Sequence, residues 1–261
     1  MNYHIVTGAS RGIGAAIVES LIAPESTIFC ISRSVSDEVI ERAATAGCSL
    51  RWFSQDLTDP TAADEVFSRI ARMVAEQPAE SIALFYAAAR LSPLGLAGTI
   101  PSAEVDDAVR LNLAAPIAAT ERFLHHFTGE SSAIDATVPR RVVLLSSGAS
   151  RRVMPGVAVY SAAKAGINAF VASVQAECGY PGAAAFGSDV RVYAVSPGLV
   201  DTGMQETLRS TDPTRLPERD TYRSWREEGA LRTPAEAAAR IVTLLTRDDV
   251  TPGTYVHMRD L

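Results

Sequence analysis

Apolar runs of strand length alternate with helical patterns along the whole chain, and that alternation constrains the fold more than any single motif. The runs read as strands near 3–7, 26–32, 49–55, 81–88, 140–146, 190–195 and 254–257. Between them, helices are predicted near 12–23, 36–46, 60–76, 102–127, 157–178 and 234–247. Strand, helix, strand repeated in this way requires crossover connections, so the strands run parallel and helices cover both faces. At 261 residues, 47% of them hydrophobic, the chain can bury one substantial core. The expected fold is a single-domain α/β structure with a Rossmann-type doubly wound parallel sheet.

Local chemistry marks several element ends. Asp59 before Pro60 suits an N-cap followed by a first-turn proline, and Thr233-Pro234 repeats the signal for the last helix. Pro116 falls inside the predicted helix 102–127, where its missing N–H predicts a kink. Residues 128–139 and 179–189 read as surface loops. The stretch 199–231 is the longest connection without a core-strand pattern, and with Met204, Leu208, Tyr222 and Trp225 it reads as a substrate lid.

The turn after the first strand carries a chemical signal. It reads Thr7-Gly8-Ala9-Ser10-Arg11-Gly12-Ile13-Gly14, with its glycines between strand and helix. Glycines let backbone N–H groups approach a pyrophosphate, which the helix dipole also favours. The spacing is G-x-x-x-G-x-G rather than the general G-x-G-x-x-G, so position between strand and helix carries the reading. Charge then selects the dinucleotide. An acid about 20 residues on would bind a ribose diol, whereas an arginine accommodates a 2′-phosphate. Here Ser32-Arg33-Ser34 ends the second strand with no acid before Asp37, and Arg11 sits inside the glycine turn. Guanidiniums facing an added dianion favour NADPH over NADH.

Tyr160 and Lys164 stand four residues apart on the predicted helix 157–178, and Ser147 lies thirteen residues before the tyrosine. Four residues on a helix place the ammonium beside the phenol. Such pairs also decorate ordinary amphipathic helices, so the glycine turn supplies the context. A free phenol titrates near ~10, and lowering it by roughly three units takes about 4 kcal/mol, which a nearby cation can contribute. A strand-end hydroxyl holding a carbonyl oxygen beside that phenol suits proton transfer to a carbonyl under reduction. Ser146 competes with Ser147 for this role. Side chains alternate along a strand, and the thirteen-residue spacing selects Ser147.

Together with Asn112 and Pro197-Gly198, these motifs resemble the short-chain dehydrogenase/reductase family, in order through nearly all 261 residues. Four segments look similar to its benzil reductase and sepiapterin-reductase-like branch: Glu25-Ser26-Thr27 through Ile31-Ser32-Arg33, Leu111 to Pro116, Ser196 to Thr202, and Glu227 to Pro234. The resemblance implies an NADPH-dependent carbonyl reductase acting on a ketone or diketone, benzil-like or otherwise bulky and apolar. It makes Tyr160 the proton donor and has Ser147 hydrogen-bond the substrate oxygen. Lys164 would bind the nicotinamide ribose and lower the tyrosine pKa, and Asn112 would support a relay water. Cofactor contacts are implied for Gly8, Ser10, Arg11, Gly12, Ile13, Gly14 and Arg33, for Asp56 and Leu57 at the adenine, for Asn112, Tyr160, Lys164, Pro197, Gly198 and Val200, and for Thr202 on the nicotinamide side. Asp56 also reads as a helix-start acid. Met154, Leu199, Met204, Tyr222 and Trp225 are candidate pocket residues. Pairing through the helices matching 102–127 and 157–178 would give a homodimer or homotetramer.

The chain departs from the family pattern twice. The family carries Asn-Asn-Ala-Gly at the end of its fourth strand, but the matching run here is Tyr86-Ala87-Ala88-Ala89. The lost hydrogen bonds, each about 0.5–1.5 kcal/mol, predict weaker local order beside the cofactor. In sepiapterin reductases an aspartate that anchors the pterin falls where this chain has His257, which counts against the alternative of a pterin reductase. The altered fourth-strand motif also raises a different alternative, a catalytically impaired nucleotide-binding regulator. Intact Asn112, Ser147, Tyr160 and Lys164 favour an enzyme.

Other classes find little support. A net charge of −6 argues against a duplex-binding surface. No basic leader precedes Tyr3 and no apolar run approaches the ~20 residues of a membrane span, so a cytoplasmic enzyme is expected. Cys30, Cys48 and Cys178 share no metal-type spacing, and the adjacent His125 and His126 point to different helix faces, so no metal is expected. Gly8-Ala9-Ser10-Arg11-Gly12 matches a nucleophile elbow, and Ser161-Ala162-Ala163-Lys164 matches S-x-x-K, but neither has its companion motifs.

Overall fold

The computed structural model describes residues 1–129, 132, 134–178, 180 and 189–261. Among them, β1 (Asn2–Thr7), β2 (Ser26–Ser32), β3 (Ser49–Ser54), β4 (Ser81–Tyr86), β5 (Arg140–Leu145), β6 (Val190–Ser196) and β7 (Tyr255–His257) form one sheet in the order β3-β2-β1-β4-β5-β6-β7. Every pairing is parallel. The expected doubly wound sheet is present. Parts of the predicted loops 128–139 and 179–189 lie outside the described residues.

Alternation along β1 shows how one strand feeds two cores. Tyr3 and Ile5 enter one apolar cluster while Val6 enters the other. Two covered faces explain why the strands read as nearly continuous apolar runs. The helices α1 (Gly12–Leu21), α2 (Asp37–Thr45) and α9 (Pro234–Ile241) cover one face, with Ile17, Val39 and Ala238 among their buried contacts. On the other face, α3 (Pro60–Val74), α5 (Ala115–Phe127) and α6 (Ala158–Cys178) bury Phe67, Phe123 and Val171.

The predicted caps are in place. Asp59 accepts from the Thr61 and Ala62 N–H groups at 2.9 and 3.3 Å. Thr233 and Glu236 form a reciprocal capping box at the start of α9.

Two features differ from the sequence expectation. The predicted helix 102–127 is two helices, α4 (Ser102–Val109) and α5, joined by a π-helical turn at Arg110–Ala114. The break precedes Pro116 instead of sitting on it. Pro116 has no N–H to give the Asn112 carbonyl, and its ring crowds that carbonyl in α geometry. Widening the previous turn relieves this, and the Ala115 N–H bonds back to the Arg110 oxygen. The stretch 199–231 also contains helices the sequence reading leaves out, α7 (Gly203–Ser210) and α8 (Arg219–Glu227). Leu208 on α7 and Tyr222 on α8 are buried in one cluster with Leu216 between the two helices in sequence.

Candidate active site

Strands β1 and β4 are neighbours although β2 and β3 intervene in sequence, so the chain changes winding direction between them. Crevices at the carboxyl ends of strands beside such a switch bind ligands. A cleft of about 600 Å³ opens at the carboxyl ends of β5, β6 and β7 and is reached by Ile13 and Leu91 from the segments after β1 and β4; its volume is within the range of small-molecule sites.

Backbone geometry shapes the turn after β1, from which Ile13 reaches the cleft. Gly8 has a φ of +66°, and a Cβ on it would lie 2.8 Å from the Ala88 Cα. A Cβ on Gly14 would lie 2.2 Å from the Gly8 carbonyl oxygen. Only glycine fits either position. Arg11 stands at the N-cap of α1 without a side-chain cap bond, and the first turn holds no acid. Its N–H groups and positive dipole end therefore suit an anion, and this cradle fits a dinucleotide pyrophosphate. A Cβ on Gly12 would lie 3.5 Å from the Thr202 methyl, and Ile13, Pro197, Gly198, Val200 and Thr202 line the cleft.

Arg33 is exposed at the end of β2, and Leu57 is buried nearby in sequence from Asp56. Asp56 accepts from the Thr58 N–H and hydroxyl at 2.9 and 2.8 Å. Burial raises its pKa, but those two bonds and the Arg33 charge more than offset it, leaving the carboxyl below its ordinary value.

The altered run after β4 is held from β1. The buried Thr7 hydroxyl accepts from the Ala87 and Ala88 N–H groups at 3.1 and 3.2 Å. Asn112, fully buried in the π turn, accepts from the Arg90 N–H at 3.1 Å and donates to the Arg90 carbonyl at 2.8 Å. Thr7 and Asn112 thus bracket the segment whose own amides are missing. The expected weakening of local order is offset at these backbone positions.

Tyr160 and Lys164 lie on one face of α6, 7% and 3% exposed. The Lys164 ammonium donates to the Leu145 carbonyl at 2.7 Å and sits 5.7 Å from the Tyr160 ring centroid. Burial pushes the phenol up to about 12, partly offset by a hydrogen bond with Ser147. Burial also lowers Lys164 to about 8. The sequence predicts a lysine that depresses the phenol, whereas in the folded chain burial raises it and only the Ser147 hydrogen bond acts in the opposite sense.

Ser146 and Ser147 both touch the cleft, with different commitments. Ser146 donates to the Asn168 carboxamide oxygen at 2.7 Å. Asn168 in turn donates to Ser150 at 2.9 Å, and Ser150 donates to the Ser147 carbonyl at 2.6 Å. That chain fixes the backbone carrying Ser147, whose hydroxyl faces the phenol. Asn168 was missed in the sequence. It is the next four-residue step after Tyr160 and Lys164, and that spacing was its signal.

Met154, Leu199, Met204, Tyr222 and Trp225 all line the cleft, as do His257, Arg151 and Arg152. Among the described residues no helix is long and apolar enough to cross a membrane, and no cluster of metal-ligating side chains occurs.

Known proteins place this geometry. The family described as short chain dehydrogenase matches residues 2–213. A benzil reductase ((S)-benzoin forming) from Bacillus cereus is 30% identical over 261 residues, covering 99% of each chain. A sepiapterin reductase from Rattus norvegicus is 26% identical, covering 98% of this chain and 96% of the relative. A solved short chain dehydrogenase/reductase from Saccharomyces cerevisiae superposes with a TM-score of 0.81 at 21% identity, covering 100% of this chain and 97% of that one. The chain belongs to the short-chain dehydrogenase/reductase family, and is an oxidoreductase acting on carbonyl and alcohol groups.

Proposed function

We propose that this protein is an NADPH-dependent carbonyl reductase that converts a bulky apolar ketone or diketone to the alcohol, with Tyr160 as proton donor. One observation carries the reading: the Tyr160 and Ser147 hydroxyls meet on the wall of a cleft otherwise rich in Met154, Met204, Leu208, Tyr222 and Trp225. Gly8, Gly12, Gly14 and the start of α1 would hold the pyrophosphate, and Arg11 and Arg33 the 2′-phosphate. The bound dinucleotide would supply hydride to the carbonyl carbon.

The protein's own groups manage the proton. A phenol held near 12 stays protonated at neutral pH, so Tyr160 starts as a donor. Negative charge developing on the substrate oxygen is met by the Tyr160 and Ser147 hydroxyls, and preplaced donors lower that barrier. The Lys164 ammonium stabilises the phenolate left behind. Asn112 fixes the backbone at Arg90, and Asn168 fixes the backbone of Ser147. The helices α7 and α8 serve as a lid over the apolar part.

A bulky apolar carbonyl also suits the benzil reductase relative, whereas His257 beside Gly198 offers a pterin no carboxylate. Pairing through α5 and α6 into a homodimer or homotetramer, in a reducing cytoplasm that keeps the free cysteines as thiols, completes the proposal. The test is NADPH oxidation with benzil, aryl ketones and sepiapterin. Turnover of benzil and aryl ketones ahead of sepiapterin is expected. Dinucleotide binding without turnover of any carbonyl would overturn the reading and favour a regulator.

A further inference from the structure

The cleft wall carries more positive charge than a site for a neutral ketone requires. Arg151, Arg152, Arg232 and Arg259 line it, with His257, and among the described residues no Asp or Glu lines it. Many arginines elsewhere are paired, as Arg141 is with Asp189 and Arg226 with Asp201. Among the described residues, Arg152, Arg232 and Arg259 form no ion pair. Their charges converge on one point. Burial holds the His257 pKa down, and Arg259, Arg232 and Arg152 all push it the same way against the single opposing charge of Asp260.

Arg152 is placed to meet substrate. Its Nη2 lies 3.0 Å from where a Cβ on Gly148 would be, so the guanidinium lies over the residue next to Ser147. Its charge also reaches Tyr222, where Glu218 acts in the opposite sense from outside the cleft lining. Tyr222 is 2% exposed, lines the cleft, and its hydroxyl has no hydrogen-bond partner among the described residues. A buried donor left unpaired is costly, so an acceptor arriving in the cleft gains from it.

We infer that Arg152 and the Tyr222 hydroxyl form a subsite for a carboxylate, so that the preferred substrate is an aryl ketone or diketone bearing an acid group away from the reacting carbonyl. The assignment rests on the carbonyl reductase reading and adds the charge of its substrate. A guanidinium fork matches a carboxylate in two parallel N–H···O bonds, and the phenolic O–H supplies a third donor. Met204 and Trp225 pack the aryl body. The carboxylate takes no part in the chemistry. Hydride goes to the carbonyl carbon, the Tyr160 proton goes to the oxygen, and a keto acid leaves as a hydroxy acid.

Benzil-4-carboxylate and its methyl ester make the test, because they differ in charge at one end and share the dicarbonyl. The acid is expected to have a kcat/KM at least about tenfold above the ester, expressed in KM, given the strength of charge-assisted bonds. That ratio should shrink as potassium chloride is raised, because exposed charges are screened. In Arg152→Gln the ratio should fall to about one, and in Tyr222→Phe it should fall a fewfold. An ester turned over as well as the acid, or a ratio unchanged in Arg152→Gln, overturns the inference. So does Arg152→Gln weakening NADPH binding as strongly as it raises the KM of the acid, since the arginine would then belong to the cofactor. Should neither compound turn over, the carbonyl reductase reading fails. The subsite is then judged by calorimetry on the NADP+-loaded protein, where tighter binding of the acid than the ester sustains it and equal binding ends it.

Discussion

Replacing Thr7 with valine removes one hydroxyl and almost no volume, which isolates the bonds that hold the segment after β4. Thr7 is fully buried, and its oxygen accepts two N–H groups, those of Ala87 and Ala88. At about 0.5–1.5 kcal/mol for each bond, the loss is about 1–3 kcal/mol. For a protein of this size each kcal/mol moves the melting temperature by about 2–4 °C, so Thr7→Val should melt about 2–12 °C lower. Gly8 packs its backbone against Ala88, so loosening that segment should also weaken dinucleotide binding severalfold. Calorimetric melting and NADPH titration are the assays, with Thr7→Ser as the control that keeps the acceptor. A valine variant that melts with the wild type and binds NADPH equally would refute the reasoning.

Further predictions concern charge. Lys164, lowered to about 8 by burial, loses its proton as pH rises through that value. Carbonyl reduction should therefore show a kcat/KM that is level below about pH 8 and falls about tenfold per unit above it. Lys164→Arg, charged throughout, should abolish the fall if it folds, and a flat wild-type profile would contradict the role. His4 on β1 is buried with its Nδ1 unpaired among the described residues, and burial lowers its pKa to about 4. The unfolded chain, titrating near ~6.5, binds the extra proton first, so stability is full above that pH and falls by about 3 kcal/mol as pH drops to about 4. Denaturant melts of wild type and His4→Val across that window should diverge, and parallel curves would exclude it. Arg33→Ala should lower the NADPH-to-NADH ratio of kcat/KM by about tenfold or more, as loss of a charged phosphate contact predicts. An unchanged ratio would show that Arg33 faces no phosphate.

What the sequence revealed depended on how locally each feature was encoded. The strands were legible because both sheet faces are covered, so β1, β2 and β4 to β6 are almost uninterrupted apolar runs. The caps at Asp59 and Thr233 were legible because capping is settled within four residues. The helices α7 and α8 were not. They are eight and nine residues long and mostly polar, too short to be marked by periodicity, and they are held by Leu208 and Tyr222 against the cleft. Arg140 opens β5 with a charged side chain, yet it is 1% exposed and donates to the Phe127 and Val138 carbonyls. Its partners come from the end of α5 and the loop after it, a pairing that no local spacing displays. The electrostatics of Tyr160 were misjudged for a similar reason. Sequence spacing displays the lysine charge, whereas the desolvation that pushes the phenol to about 12 exists only after folding.

The most direct measurement is single-turnover reduction of benzil by the NADPH-loaded Tyr160→Phe variant. The substitution removes one oxygen from a ring already buried in the cleft wall, so dinucleotide binding and melting should stay close to wild type. Positioned general acids contribute about 10²–10⁴-fold, and the rate should fall by that factor. Benzil reduced at the wild-type rate by a folded, NADPH-binding Tyr160→Phe protein would contradict the account.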